Sequence, residues 1–244
     1  MSVAFTLATS RRILTQLRHD HRTVAMLVLV PSLLMVLLRY VLNSQTLFSH
    51  FAPALLGVFP FLIMFLVTSV TTLRERTTAT LERLMTMPIG KLDLLFGYAL
   101  AFGLVAVVQV TVAATICLTW LGLDIAGALW TLLLIAVLDA LLGMALGLFV
   151  SAFATSEFQA IQFMPLFVLP QILLCGLFVP RESMGWLLNA LSDLMPLSYA
   201  VDALTHVTNS AEIDSTLVVN LLIVAACAVA ALVLGAATLR RRTP

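Results

Sequence analysis

The sequence predicts an all-α integral membrane protein with six membrane-spanning helices and both termini in the cytoplasm. Hydrophobic residues make up 61% of the 244 residues and charged residues only 10%, and the mean hydropathy is +1.10. Soluble domains are about 45–50% apolar, so the excess is expected to face lipid. Because lipid offers no partners for backbone polar groups, the long apolar runs must form helices. The short strands of alternating polarity that a barrel needs are absent from the sequence.

Six apolar runs reach or exceed the roughly 20 residues that a membrane-spanning helix needs. They lie at about residues 23–42, 53–73, 94–121, 127–152, 159–180 and 216–239. No long polar stretch separates them. We therefore predict that residues 1–244 form a single membrane domain with no soluble domain attached.

Basic residues predict the orientation of these spans, because Lys and Arg concentrate on the cytoplasmic side of membranes. With six spans, eleven of the thirteen Lys and Arg residues fall on one side. They are Arg11, Arg12, Arg18, Arg22, Arg74, Arg76, Arg83, Lys91, Arg240, Arg241 and Arg242. Five or seven spans would scatter these clusters over both sides. Six spans therefore place both termini in the cytoplasm.

Residues 1–22 precede the first span and predict an amphipathic helix lying on the cytoplasmic leaflet. At about 100° per residue, one face carries Val3, Leu7, Ile13, Leu14 and Leu17, and the opposite face carries Arg11, Arg12, Arg18 and His19. Cations on such a helix lie near anionic lipid headgroups. The alternative is a solvated cytoplasmic arm.

A densely charged segment lies between the second and third spans. Residues 74–84 read Arg-Glu-Arg-Thr-Thr-Ala-Thr-Leu-Glu-Arg-Leu, and Pro88 closes the segment. No glycine or proline interrupts residues 74–87, so a short helix is expected. Charges of both signs on such a helix favour contact with a cytoplasmic partner. The alternative is a solvated loop that only satisfies the positive-inside rule, although that rule does not require Glu75 or Glu82.

The sequence offers no arrangement of residues typical of a catalytic or metal site. Cys117, Cys175 and Cys227 lie in three different spans and show no metal-ligand or disulfide spacing. The four histidines are scattered, and no phosphate-binding Gly-x-x-x-x-Gly-Lys-Ser/Thr motif is present. If ATP drives this protein, another chain binds it. The near-neutral net charge of +1 argues against nucleic acid as a partner.

Asp139 lies near the middle of the fourth span, inside an otherwise apolar run. An acid at that depth costs at least about 2.5 kcal/mol unless it is paired, neutral or hydrated, so Asp139 is a functional candidate. Gly143 and Gly147 follow on the same face and predict close approach of another helix. The alternative is a protonated Asp139 that hydrogen-bonds across this helix contact.

Residues 180–215 are too polar for a full span but retain the helical spacing of apolar residues from Trp186 to Leu194. They predict a short amphipathic or re-entrant helical hairpin on the outer side. The alternative is an ordinary outer loop.

Three motifs together resemble the ABC transporter permeases of the type-2 exporter class, and most closely their drug and antibiotic export branch. The first is the segment 74–88, which departs from the family pattern at Thr77 and Ala79. The second is Ser151-Ala152-Phe153 with Glu157, Gln159, Gln162, Pro165, Pro170 and Gly176-Leu177-Phe178-Val179-Pro180. The third is Pro196-Leu197-Ser198-Tyr199 with Asp202-Ala203-Leu204, followed by Thr205 where a basic residue is common.

The resemblance implies that the charged segment is a coupling helix that docks on a separate cytoplasmic ATPase subunit. The residues expected to make this contact are Arg74, Glu75, Arg76, Thr80, Leu81, Glu82, Arg83, Leu84 and Pro88. It also implies two permease copies, either identical or related, assembled with two ATPase subunits. ATP and Mg²⁺ would bind to the ATPase, and this chain itself would bind no cofactor and no metal.

The resemblance further implies that the second and fifth spans line a translocation path between two permease copies. The candidates for the path or its gating are Phe61, Phe65, Asp139, Glu157, Gln159, Gln162, Phe163, Phe167, Gln171, Tyr199 and Asp202. Aromatic residues and glutamines would offer an apolar, partly hydrated surface, and Tyr199 and Asp202 are expected at the outer side. For Glu157, a favourable interaction with the positive N-terminus of the helix is a sufficient alternative role. For each phenylalanine, the alternative is packing in the core or contact with lipid.

The resemblance therefore implies the function of a permease in the plasma or inner membrane of a bacterium, exporting lipophilic or amphiphilic compounds with energy from an ATPase partner. One rival is export of a lipid or polysaccharide, which the modest 8% aromatic content does not favour. A second rival is a membrane scaffold or receptor with no transport path. An intramembrane enzyme is disfavoured because no paired catalytic groups lie in the spans.

Overall fold

The computed structural model describes residues 3–77 and 90–238, and within these residues the regular structure is helical. The helices are α1 (Val3–His19), α2 (His21–Leu42), α3 (Gln45–Thr77), α4 (Lys91–Thr119), α5 (Leu129–Val150), α6 (Glu157–Leu174), α7 (Trp186–Leu194), α8 (Pro196–Asn209) and α9 (Ser215–Thr238), with a 3₁₀ turn at Arg181–Ser183. Six of them, α2 to α6 and α9, are long and apolar enough to cross a membrane. The predicted all-α membrane fold is confirmed.

Local side-chain contacts explain where two of these helices begin. Asp20 separates α1 from α2 and accepts a hydrogen bond from the backbone N–H of Thr23 at 3.1 Å, which caps α2. Hydrogen bonds from the hydroxyl and backbone of Thr23 lower the pKa of the Asp20 carboxyl. Ser156 caps α6 in the same way by accepting from the backbone N–H of Gln159.

Two helix ends differ most from the predicted boundaries. The helix α3 begins at Gln45, well before the predicted residue 53, because Pro53 and Pro60 are accommodated inside the helix. The helix α6 ends at Leu174 rather than at 180, because Gly176 adopts a φ of +87°, a left-handed conformation that ends a helix.

The centre of the bundle is the packing of α3 against α5. A Cβ atom built on Gly143 would lie 2.3 Å from the carbonyl oxygen of Phe61, and one on Gly147 would lie 2.4 Å from that of Phe65. Only glycine permits the two backbones to approach this closely. The close helix contact predicted from Gly143 and Gly147 is confirmed, and α3 is the partner helix.

The helix contacts place the described parts of the basic segments at one end of the bundle. We call this the basic end; it comprises α1, the last turn of α3, the first turn of α4 and the first turn of α6. The last turn of α9 also lies there, because Gly235 approaches Phe149 and Leu95. This grouping agrees with six crossings, and the cytoplasmic location of the basic end stays a prediction.

Two short helices, α7 and α8, occupy the opposite end, where we expected a helical hairpin. One face of α8 is buried against α3, α5 and α9. In α7, the hydroxyl of Ser192 donates a hydrogen bond to the carbonyl oxygen of Leu174 at 2.7 Å and so ties α7 to the end of α6. Trp186 is 84% exposed at the start of α7.

Candidate functional site

The last described turn of α3 connects directly to α6 at the basic end. The guanidinium of Arg74 donates hydrogen bonds to both carboxylate oxygens of Glu157, at 3.0 and 3.3 Å. Both side chains are largely exposed, so the ion pair contributes only about 0.2–1 kcal/mol to stability. Its geometry nevertheless links the start of the charged segment to the first residue of α6.

The next residue of α3 connects to α1 and α4. Glu75 is buried, and its carboxylate accepts hydrogen bonds from both terminal nitrogens of Arg12, at 3.2 and 3.3 Å. The hydroxyl of Tyr98 also donates to Glu75. A buried carboxylate with two charge-assisted bonds is firmly held. Three elements of the basic end, α1, α3 and α4, therefore meet at this one carboxylate.

These contacts change the interpretation of two residues assigned to ATPase docking. Within the chain, Arg74 pairs with Glu157 and Glu75 pairs with Arg12, so each has an intramolecular partner. Arg76 is partly buried, and its Nε has no hydrogen-bond partner among the described residues. The remaining docking candidates lie outside the described residues: Thr80, Leu81, Glu82, Arg83, Leu84 and Pro88.

A cavity of about 400 Å³ lies beside these two ion pairs. Its walls come from α1, α2, α3 and α6 and are mostly apolar. Polar groups at its rim include Asp20, Arg74 and Glu75. An apolar space with a few fixed polar groups is the usual form of a small-molecule site. The cavity touches α3 and α6, the two spans predicted to line the translocation path.

Asp139 is fully buried in the α3–α5 interface. Its side chain faces Gly57, where an added Cβ would lie 2.9 Å from one carboxyl oxygen. Neither carboxyl oxygen has a hydrogen-bond partner among the described residues, so this conformation shows no hydrogen bond from Asp139 across the interface, and the role of Asp139 stays a prediction. Burial of a polar group without a partner costs free energy, and no contact in the described chain offsets it.

The phenylalanines proposed for the path divide into two groups. Phe61 and Phe65 are fully buried in an apolar cluster with residues of α5, and the glycines of α5 pack on their backbone. In this conformation they contribute to the α3–α5 interface and do not face an open path. In α6, Phe163 packs partly against the core, while Phe167 is 42% exposed.

The three glutamines of α6 are also in different environments. The side-chain oxygen of Gln159 accepts hydrogen bonds from the backbone and hydroxyl of Thr155, both at 2.9 Å, which stabilises the start of α6. Gln162 is exposed. Gln171 is buried and donates to the carbonyl oxygen of Phe167 at 3.0 Å. Among the glutamine and phenylalanine candidates of α6, Gln162 and Phe167 are thus the two exposed residues.

At the opposite end of the bundle, Arg181 joins the two predicted outer residues. Its guanidinium donates to the carboxylates of Asp193 and Asp202 and lies over the ring of Tyr199, 5.4 Å from the ring centre. The Tyr199 hydroxyl donates to the carbonyl oxygen of Asp193 at 2.8 Å. This cluster fixes α8 to α7 and to the turn after α6.

Sequence reasoning misses three residues of these sites. The helical pattern places Arg12 on the solvated face of the N-terminal helix, and it gives no role to Tyr98 or Arg181. A signal exists for Arg181, since it is the only Lys or Arg residue in the acidic stretch 180–215. No local pattern marks Tyr98, whose role depends on the packing of α4 against α3.

Comparison with known proteins identifies the family. The sequence profile of the family described as "ABC-2 type transporter" matches residues 3–208. The probable multidrug ABC transporter permease YbhS of Escherichia coli (strain K12) is 27% identical over 193 residues, covering 78% of this chain and 51% of YbhS. The permease YbhR of the same organism is 28% identical over 150 residues, covering 62% and 41%.

A eukaryotic ABC transporter is also similar to this chain. ABC transporter G family member 20 of Dictyostelium discoideum is 26% identical over 166 residues, covering 68% of this chain and 23% of that protein. The chain therefore spans about half the length, or less, of the curated relatives it matches. The family match itself covers most of the chain and all the candidate residues described above. The chain belongs to the ABC-2 type transporter family.

Proposed function

We propose that this chain is the membrane permease of an ATP-driven exporter in a bacterial inner membrane, with ATP and Mg²⁺ bound by a separate ATPase subunit. The main support for the proposal comes from the two ion pairs at the end of α3, which Arg74 and Glu75 form. Arg74 and Glu75 are the first two residues of the segment assigned to ATPase docking, and they contact α6, α1 and α4. A force on that segment would therefore reach all three helices.

This geometry supports a mechanism in which closure of two ATPase subunits displaces the charged segment. The displacement pulls on α6 through Arg74 and Glu157 and on α1 and α4 through Glu75. Because α6 carries Gln162 and Phe167 on its open surface, its movement would alter a path formed with a second permease copy. The apolar cavity beside the ion pairs suits a lipophilic or amphiphilic compound awaiting export.

The docking claim is tested by charge reversal at Glu82. We expect affinity purification of the wild-type chain in mild detergent to retain an ATPase subunit. We expect the Glu82→Arg variant to retain at least about tenfold less, because like charges at an interface cost several kcal/mol. Immunoblotting and ATP hydrolysis of the purified fraction are the two measurements.

The matched control for Glu82→Arg is Glu212→Arg. Glu212 is exposed in the loop between α8 and α9, at the opposite end of the bundle, and its reversal should leave ATPase recovery unchanged. Both variants should elute as monodisperse protein in size-exclusion chromatography. Equal ATPase recovery with wild type and Glu82→Arg, or no ATPase with either, contradicts the docking claim and favours the scaffold hypothesis.

Coupling through α6 is tested by exchanging the charges of one ion pair. We expect Arg74→Glu to reduce ATP-dependent transport in membrane vesicles, because the carboxylate introduced there would repel that of Glu157. The double variant Arg74→Glu/Glu157→Arg should recover most of the lost transport. Stability of the folded protein should change by less than about 1 kcal/mol in each variant, since both positions are exposed. Failure of the double variant to recover transport would show that the contact is not part of coupling.

A further inference from the structure

Two hollows flank α1 and meet at its surface. The larger, of about 530 Å³, lies between α1, α4, α5 and α9, and its lining is almost wholly apolar. The smaller, of about 380 Å³, lies between α1 and α4. Leu7 and Leu100 line both hollows, so the two spaces adjoin across these side chains.

The smaller hollow carries two arginines and no acidic residue. Arg11 and Arg18 line it together with Leu14 and Leu104. They lie two turns apart on the same face of α1, about 10 Å along the helix axis. Both are exposed, and neither has a carboxylate partner among the described residues. The neighbouring Arg12 differs from both, because its guanidinium forms an ion pair with Glu75.

This combination of unpaired cations beside hydrocarbon surface matches an amphiphilic anion. A soluble anion would use the arginines but leave the adjoining apolar groove in contact with water or lipid. A neutral lipid would use the groove but leave two cations without counterions. A ligand that both pairs with the two arginines and fills the apolar groove carries a negative headgroup and a long apolar chain.

We propose that these hollows form a binding site for one anionic phospholipid of the leaflet that contacts α1. Its phosphate is bound between Arg11 and Arg18, and an acyl chain passes over Leu7 and Leu100 into the larger groove. The site is distinct from the cavity between α1, α2, α3 and α6, with which it shares no lining residue. The lipid is a structural ligand rather than the transported compound.

Occupancy of this site would act on the coupling residues through α1. The helix crosses α4 at very short range, since a Cβ on Gly97 would lie 2.5 Å from the Cβ of Thr9. Arg12, on the same helix, holds Glu75 of α3. A lipid bound along Arg11 and Arg18 would therefore stabilise α1 in the position that keeps Arg12 on Glu75.

The test measures lipid retention by native mass spectrometry of the full chain, delipidated and then mixed with equal amounts of phosphatidylglycerol and phosphatidylcholine. We expect one phosphatidylglycerol to be retained in preference to phosphatidylcholine. Arg11→Gln and Arg18→Gln should each lower this retention by about fivefold. The matched control is Arg22→Gln, an exposed arginine at the start of α2 that lines neither hollow.

A second variant tests the apolar half of the site without changing charge. Ala225 lines the larger groove from α9, and Ala225→Phe should fill it and lower retention of phosphatidylglycerol while leaving the arginines intact. Added inorganic phosphate should not displace the lipid, because it lacks an acyl chain.

Four results would overturn the proposal. These are equal retention of the two lipids, an unchanged preference in Arg11→Gln and Arg18→Gln, an equal loss in Arg22→Gln, and displacement by phosphate alone. A change of oligomeric state in the Arg11 and Arg18 variants with lipid retention intact would instead assign the surface to a second copy of the chain.

Discussion

Replacing Gly143 with leucine is expected to destabilise the helical bundle more than any substitution on its surface. The added Cβ would lie 2.3 Å from the carbonyl oxygen of Phe61 and 3.0 Å from its Cα. Both are backbone atoms, so no side-chain rotation can relieve the overlap, and α3 must move away from α5. Overpacking of this kind costs typically 1–3 kcal/mol and more where the backbone must shift, so we expect about 3 kcal/mol or more.

The measurement is thermal unfolding of the detergent-purified protein. A loss of about 3 kcal/mol corresponds to a decrease in Tm of roughly 6–12 °C for a chain of this size. Gly185→Leu is the matched control, because no atom lies within 4 Å of a Cβ built on Gly185 and its φ of −60° suits any residue. A Gly143→Leu protein that unfolds at the wild-type temperature would show that α3 and α5 do not meet through this face.

The same interface shows how far the sequence can predict this fold. The spacing of Asp139, Gly143 and Gly147 on one helical face predicted close approach of another helix, because small residues at intervals of four form a continuous groove. It could not predict that α3 fills the groove. Any apolar helix satisfies the pattern, and the choice of Phe61 and Phe65 depends on the packing of the whole bundle.

The N-terminal helix shows why part of the candidate site was missed. Periodicity of large apolar residues predicted one apolar face made of Val3, Leu7, Ile13, Leu14 and Leu17. The structure buries Ile13 and Leu17 of this face, but Thr9 and Ser10 are buried with them and Leu7 is exposed. Small polar residues are buried there because Gly97 of α4 lets the two backbones approach. This rotation of the helix relative to the predicted face turns Arg12 toward Glu75 and leaves Leu7 and Arg11 on the exposed side.

The residues at the ends of the helices were predicted individually, but their pairing was not. Arg74 and Glu157 each belong to a motif of the family resemblance, yet 83 positions separate them in the chain. Arg12 and Glu75 are separated by 63 positions. Charge alone does not select one partner among several at the basic end, so these contacts required the structure.

The second large effect is expected on removal of the Arg12 side chain. Glu75 is buried with Arg12 and Tyr98 as its donors, and Arg12→Ala would leave a buried carboxylate with only the tyrosine hydroxyl. Loss of a hydrogen bond to a charged group costs about 1.5–3 kcal/mol, so we expect Tm to fall by roughly 3–12 °C. The neighbouring Arg11→Ala, in detergent free of anionic lipid, should change Tm by about 1 °C or less, since Arg11 has no ion-pair partner among the described residues.

A double-mutant cycle separates this contact from loss of the arginine stem. In Arg12→Ala/Glu75→Gln the buried charge is removed together with its partner, and the protein should be more stable than Arg12→Ala alone. If the losses of unfolding free energy in Arg12→Ala and Glu75→Gln simply add up to the loss in the double variant, Arg12 and Glu75 do not interact in the folded chain. If they couple as expected, the last turn of α3 is bound to α1 by a contact strong enough to carry displacement of the charged segment into the bundle. In that case the proposed function predicts that Arg12→Ala also uncouples ATP hydrolysis from transport while leaving the proposed ATPase subunit bound.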